Sequence, residues 1–375
     1  MRVLFDHQTF RNQRYGGISL YISKLIEGLN SECAHSAQVT LPYFPNENLS
    51  KSFTSQDSIR DIAWSLMPMK GKRVSNIFSL YSLNTQPYDV LHATYYDSYF
   101  LKGKIRQKPW TVTYHDMAHE LLGDRFGRMN NEPELVRNKA IFAKEASMLI
   151  AISERTKQDM VNIYQIDPQK IRVVHHGNPY SQLNASLVSS ESELEFPYLL
   201  FVGHRWAYKN FDRFLVAVAS LLKKYDIHLL CAGSTPFSSD EISLITKLGV
   251  SDLIHHQPIT NESLPNLYRH ASAFIFPSIL EGFGFPILEA FACECPCILS
   301  DNSCFPEIAG NDAALYFDPE SVESIAIAVE KMITASSSQR SRLIANGLSR
   351  LKVFSWSNTV KQTLDVYKHL VQGGF

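Results

Sequence analysis

Short apolar runs alternate with helix-period segments along almost the whole chain, in two series separated by a polar stretch. In the first series, Arg2–Phe5, residues 89–92, Trp110–Tyr114, Met148–Ile152 and Ile171–Val174 read as strands. Ile18, Tyr21, Ile22, Leu25, Ile26 and Leu29 recur at helical spacing after the Gly16-Gly17 break. Ser153 is placed to cap a helix that follows Ile152. Residues 180–195 are rich in Ser, Asn and Glu and read as a linker. The second series then runs strand Tyr198–Val202, helix from about Asn210, strand Ile227–Ala232, helix Ser239–Leu248, strand Leu253–His255, helix Glu262–His270, strand Ala273–Phe276, helix from Pro286 and strand Cys297–Leu299. Strands without polar alternation, each followed by a helix, are buried on both faces. That implies parallel sheets covered by helices on either side. The expectation is α/β: two doubly wound parallel-sheet domains facing across a cleft, residues 1–180 and 181–354, with ligands at the carboxyl ends of the strands.

Bulk properties agree with two globular domains. At 375 residues the chain exceeds one ordinary core, and it is 45% hydrophobic and 19% charged. The opening Met1-Arg2-Val3-Leu4-Phe5-Asp6 turns polar after a short apolar run, so it reads as a strand rather than a secretion signal. No run reaches the length of a membrane span. The expectation is a cytoplasmic protein that could lie at the inner face of the membrane. Net charge is −1 and gives no expectation of nucleic acid. Residues 1–180 nevertheless hold 22 Lys and Arg against 17 Asp and Glu, with clusters at Lys70, Lys72, Arg73 and at Lys102, Lys104, Arg106, Lys108. These could meet anionic headgroups or a lipid diphosphate, or simply form a solvated face. Cys293, Cys295 and Cys297 lack the spacing of a zinc site and stand among apolar residues, so they read as buried thiols.

The densest chemistry lies between Phe276 and Ala290. A strand ends, a loop with Gly282 and Gly284 follows, and Pro286 suits the start of a helix. Backbone amides at such a helix start favour an anion, for instance a diphosphate. Glu281 and Glu289 bracket the loop and can accept hydrogen bonds from sugar and ribose hydroxyls. After the strand Tyr198–Val202 come Gly203, His204, Arg205 and Lys209. Arg205 and Lys209 could neutralise a diphosphate leaving group without a metal, and the chain has no Asp-x-Asp pair for one. Tyr114-His115-Asp116 ends a strand in the first domain, and Gly17 follows the first strand where backbone could approach a phosphate or an acceptor.

These segments resemble the retaining glycosyltransferases of family 4, of the type that builds O-antigen or capsular polysaccharide, which have the GT-B fold of two Rossmann-like domains. The resemblance rests on Gly16-Gly17, Tyr114-His115-Asp116, residues 151–156, residues 175–178, the Gly203…Lys209-Asn210 turn and the Glu281-x7-Glu289 segment. It implies that Glu281 touches the donor sugar and that the amides of Phe283, Gly284 and Phe285 serve sugar and phosphates. Glu289 would hold the ribose, Arg205 and Lys209 the diphosphate, and Pro258 and Ile259 the nucleobase, while His115 lies near the reacting sugar. It also implies that a last helix, about 355–375, completes the first domain. The chain departs from the pattern at His204, where many members have Arg, and at Cys295, where many have Gly. The implied reaction moves a hexose, mannose or a deoxyhexose, from a nucleoside-diphosphate donor, GDP ahead of UDP, to a lipid-linked oligosaccharide. No cofactor and no metal are expected. A glycoside hydrolase would not need Lys209 and Arg205; an epimerase would release its product without an acceptor; a non-catalytic scaffold would be free to lose Glu281 or Lys209.

Overall fold

The computed structural model describes residues 1–41, 44, 46–49, 71–101, 108–127, 132–181, 194–233, 235–260 and 263–373. The chain divides into two compact units: residues 1–177 with 356–375, and residues 178–355. Lys70, Lys102, Lys104, Arg106 and most of the expected linker lie outside the described residues.

In the first unit the strands are β1 (Arg2–Phe5), β2 (Ser36–Val39), β3 (Val90–Ala93), β4 (Trp110–Tyr114), β5 (Met148–Ala151) and β6 (Ile171–Val173). They form a parallel sheet in the order β2-β1-β3-β4-β5-β6. Alternate residues of one strand enter different cores. Val3 and Phe5 join one cluster and Leu4 the other, and Ile150 and Leu149 part in the same way. This two-sided burial is why these strands read as continuous apolar runs. Ser153 does cap the helix Glu154–Tyr164, accepting the amide of Thr156 at 3.1 Å.

The last helix, Trp356–Val371, belongs to this first unit. Its buried residues Val360, Leu364 and Tyr367 join the core that holds Val3 and Phe5. It lies close against the helix Gly17–Ser31: a Cβ on Gly28 would come within 2.5 Å of Val360. Tyr367 is fully buried, with its hydroxyl 2.6 Å from His92 Nδ1.

In the second unit the strands are β7 (Tyr198–Val202), β8 (His228–Ala232), β9 (Ile254–Gln257), β10 (Ala273–Phe276), β11 (Cys297–Ser300) and β12 (Ala314–Phe317). They are parallel, in the order β12-β11-β10-β7-β8-β9. Counted from its own first strand this is the order 6-5-4-1-2-3 of a doubly wound dinucleotide fold, with the reversal between β7 and β10. Several expected boundaries shift by a residue or two, among them β8, which starts at His228 rather than Ile227, and β11, which ends at Ser300. β9 starts at Ile254 because residues 251–253 make a 3-10 turn. The helix expected from Glu262 runs Leu264–His270, with residue 262 outside the described set. The helix expected from Pro286 starts one residue earlier, Phe285–Ala292, capped by Gly284. Cys293, Cys295 and Cys297 are buried thiols. Among the described residues no helix is long and apolar enough to cross a membrane.

Candidate functional site

The reversal between β7 and β10 brings their two following loops side by side, and backbone and side chains then sew them together. Ile279 N–H donates to Tyr208 O at 2.8 Å. Asn210 caps the helix Phe211–Tyr225 in a left-handed conformation (φ 61°), and its Nδ2 donates to Pro277 O at 3.1 Å and Pro319 O at 2.8 Å. As a result Lys209 Nζ and Glu281 Oε1, 72 positions apart in sequence, meet at 2.5 Å. Their side chains are only 19% and 14% exposed, so this pair sits in a poorly solvated place where charge interactions are strong. Lys209 also lies 5.1 Å and 5.4 Å from the ring centres of Tyr208 and Phe276.

Glu281 is fixed from behind by a residue that sequence reasoning did not single out. Its N–H donates to Ser303 Oγ at 2.8 Å, and that hydroxyl donates back to Glu281 O at 2.6 Å. Ser303 is itself left-handed, φ 63°, a strained conformation kept here at the loop it supports. Gly284 has φ 96°, which favours glycine, and it starts the Phe285–Ala292 helix beside Phe283. Gly203, after β7, has φ 106°.

Glu289 is half-buried on the same helix and accepts a hydrogen bond from the Tyr268 hydroxyl at 3.0 Å. Burial pushes its carboxyl up to about 7, with the Tyr268 hydrogen bond pulling the other way. Pro258 and Ile259 follow β9, Pro258 exposed and Ile259 half-buried.

Arg205 is placed differently from Lys209. It is only 5% exposed, and its Nε donates to Glu241 Oε1 at 2.7 Å. Nη2 donates to the carbonyls of Thr235 and Pro236 at 3.0 and 2.8 Å, and the guanidinium lies 4.6 Å from the Phe237 ring centre. Nη1 is buried and has no partner among the described residues. Glu241 is at the same time the third residue of a capping box with Ser238, so one carboxylate serves both a helix start and this buried cation. Although burial opposes ionisation, bonds from Arg205 and Ser238 hold the Glu241 carboxyl below its usual range. His204, beside it, is exposed.

His115 and Gly17 lie in the other unit. Gly17 is exposed at the first turn of its helix. His115 is half-buried at the end of β4, beside the packed rings of Tyr21 (5.8 Å) and His176 (6.0 Å). Its Nε2 is buried with no partner among the described residues. Burial lowers its pKa to about 4, so the ring is neutral near pH 7. Of the basic clusters, Lys72 pairs with Glu134 at 3.0 Å, and Lys108 donates to Tyr88 O at 3.0 Å. Among the described residues no group of three His, Cys, Asp or Glu is arranged to hold a metal.

Residues 15–179 match the family model for Glycosyltransferase Family 4, and residues 186–350 match that for Glycosyl transferases group 1. The chain is 28% identical to the O-antigen chain mannosyltransferase B of Escherichia coli, over 60% of this chain and 61% of that one. It is 30% identical to the O-antigen chain mannosyltransferase RfbU of Salmonella typhimurium, over 59% and 60%. The matches thus span about 60% of these relatives' length. The fold superposes on that of a sucrose-phosphate synthase from Thermosynechococcus elongatus with a TM-score of 0.73, over 99% of both chains at 16% identity. The two family segments occupy the two Rossmann-like units in order, and the chain belongs to glycosyltransferase family 4, with the GT-B fold.

Proposed function

We propose that the chain is a retaining glycosyltransferase. It moves a hexose, mannose or a deoxyhexose, from a GDP-linked donor to a lipid-linked oligosaccharide in the making of a surface polysaccharide, without a metal. The observation that carries this reading is the Lys209–Glu281 pair at the strand-order reversal of the second unit, beside the Gly284-capped helix start. Relatives named O-antigen chain mannosyltransferases support the choice of sugar and acceptor.

The pair suits a donor that carries both a sugar and a diphosphate. Without ligand each group neutralises the other. A bound diphosphate offers Lys209 a doubly charged partner, and Glu281 is then released to accept hydrogen bonds from the sugar. The anomeric carbon–oxygen bond to phosphate breaks with its electron pair going to the diphosphate. Lys209 and the helix start stabilise that charge. The acceptor hydroxyl forms the new bond from the same face, and its proton passes to a leaving phosphate oxygen, so no protein nucleophile is required. Ionised Glu289 accepts from ribose hydroxyls, Pro258 and Ile259 flank the base, and Arg205 can reach the phosphates only through Nη1. Neutral His115 offers Nε2 to a substrate hydroxyl.

Thermal melting with GDP, UDP, ADP and their sugar nucleotides, without added metal, tests the reading. A ligand bound only by the folded chain raises the melting temperature. The expected result is a clear rise with GDP and GDP-mannose. A rise with UDP compounds instead would replace the base, and no rise with any nucleotide would sink the transferase reading in favour of a hydrolase or an inactive scaffold.

A further inference from the structure

Next to the turn that carries His115, the first unit buries a complete ion pair. Lys139, on the helix Pro133–Glu145, and Glu120, on the helix Ala118–Leu122, meet at 2.8 Å with side chains only 2% and 3% exposed. The other oxygen of Glu120 accepts from the Tyr164 hydroxyl at 2.7 Å. Lys139 Nζ also donates to Asp116 O at 2.9 Å. The Tyr114 hydroxyl donates to Lys139 O, so β4 holds the backbone of the lysine as well. Taking two charges out of water costs several kcal/mol per ion, and apolar residues of similar volume often fill such a place with no loss of stability. The pair therefore calls for a role other than holding the fold together.

Lys139 grips the turn at the residue after His115, and the turn is pinned on its other side too. The Tyr96 hydroxyl donates to Thr113 O at 3.0 Å and accepts the His115 N–H at 3.3 Å. Asp116 Oδ1 accepts the Ala118 N–H at 3.0 Å. Two charges of opposite sign reach the His115 ring. Burial lowers its pKa to about 4, Asp116 pulls it up and Lys139 pushes it down. Although burial opposes ionisation of Asp116, Lys139 and the Ala118 amide hold its carboxyl below the usual range. The other groups that face the ring are neutral near pH 7. Burial keeps the hydroxyls of Tyr21 and Tyr96 protonated, and it lowers the pKa of His92 on β3 and of His176 after β6. Lys139 is thus the cation set against Asp116.

We propose that Lys139 is a positioning residue for His115: it holds the turn through Asp116 O and sets its positive charge against the Asp116 carboxylate, while Glu120 and Tyr164 keep Lys139 in place. The proposal rests on the glycosyltransferase reading, in which His115 lies near the reacting sugar. The consequence is an imidazole that stays uncharged although a carboxylate follows it in the chain. As the bond from sugar to phosphate breaks, the sugar gains positive charge. An imidazolium beside it would repel that charge and raise the barrier. A neutral ring can still offer Nε2 to a substrate hydroxyl. Glu120 balances Lys139 at a place where a lone cation would be costly.

The test follows the His115 ring by nitrogen NMR of the full, histidine-labelled chain across pH, with the signal assigned by its loss in His115→Gln. In the wild type the ring should stay neutral down to about pH 5. The double variant Lys139→Met/Glu120→Gln removes both charges and strands neither. In it the His115 pKa should rise by about one pH unit, the scale of a neighbouring charge. Glu120→Gln alone keeps the cation, so it should lower that pKa or leave it in place. In a transfer assay the acid limb of the kcat profile should move up with the ring in the double variant, at unchanged donor KM. Both variants should keep the thermal shift with donor nucleotide, which reports on the other unit. A wild-type His115 that titrates near the ordinary 6.5 would overturn the proposal, as would an unmoved ring in the double variant. So would a rise in Glu120→Gln, a near-isosteric change that still decides the matter if the double variant does not fold. A wild type without any nucleotide shift would sink the transferase reading, and the His115 titration would still judge the pair on its own.

Discussion

At the carboxyl ends of β1 and β3 the first unit ties its loops together with its own side chains. At the ends of β7 and β10 the second leaves Lys209 and Glu281 facing each other on glycine-bearing loops. In the first unit Asp6 is fully buried and every side of it is taken. Thr94 N–H and Oγ1 donate to its Oδ1 at 2.9 and 2.5 Å, and Gln8 Nε2 donates to its Oδ2 at 2.5 Å. Burial still raises its carboxyl to about 6 against those bonds. In the second unit Lys209 and Glu281 have, among the described residues, only each other as charged partners. The contrast separates two uses of the same sheet geometry. A reversal tied by neutral donors holds its own loops, here Asp97 through Gln8, whereas one that pairs opposite charges leaves charge that a ligand can take over.

The largest expected effect would break or keep that contrast. Lys209→Ala and Glu281→Ala should each lower transfer by about 10³-fold, the scale of removing a group that stabilises developing charge, in protein that stays folded although one partner is left unpaired. Asp6→Asn should do the reverse, lowering the melting temperature while leaving nucleotide binding intact. Initial rates and melting curves for the three variants decide it. Equal rate losses at unchanged stability would erase the distinction.

Next comes Arg205→Met, which strands Glu241 in a mostly buried place. Breaking a buried pair costs about 3–5 kcal/mol, so chemical denaturation should register a large loss while the shift with donor nucleotide persists. Unchanged stability with lost nucleotide binding would instead make Arg205 a phosphate ligand in its own right.

A smaller effect should appear with pH. Glu289 titrates near 7, so the share ionised rises about tenfold between pH 6 and 8, and donor affinity should rise with it. Glu289→Gln should flatten that profile in a donor titration. Stability runs the other way. A carboxyl whose pKa is raised by folding stabilises the folded chain at low pH, and that contribution is lost as pH climbs from about 4.5 through 7. The smallest effect is expected from Ser303→Ala, which removes the two-way bond to Glu281. It should cost about 1 kcal/mol of stability and a few-fold in kcat at unchanged donor KM.

Much of this was legible along the chain because doubly wound folds write themselves locally. Buried parallel strands are apolar throughout, and glycine, proline and acid residues after β10 sit where the loop and helix start need them. Two of the four edge strands escaped notice for the same reason. β2, Ser-Ala-Gln-Val, is buried only on alternate residues, and β12 is half-exposed at its centre, so neither carries the continuous apolar mark. Side-chain partnerships were also hidden. Lys209 and Glu281 could be named, but that they touch depends on β7 lying next to β10, which no local pattern states. Arg205 looked like Lys209 in sequence, and only the placement of Glu241, 36 residues on, divides their circumstances. Ser303 gave no signal, since its backbone conformation is invisible in a lone serine.

The return of the last helix to the first unit also shapes how the chain is made. The path leaves that unit at Gly177 and re-enters it at Trp356, and these two points abut: a Cβ on Gly177 would lie 2.4 Å from the Trp356 backbone nitrogen. During synthesis, residues 178–355 emerge as one uninterrupted piece and can fold at once. The first unit, begun earlier, must wait for Val360, Leu364 and Tyr367 before its core closes. The half made first is thus finished last, and until the final helix emerges it is the part exposed to chaperones and proteases.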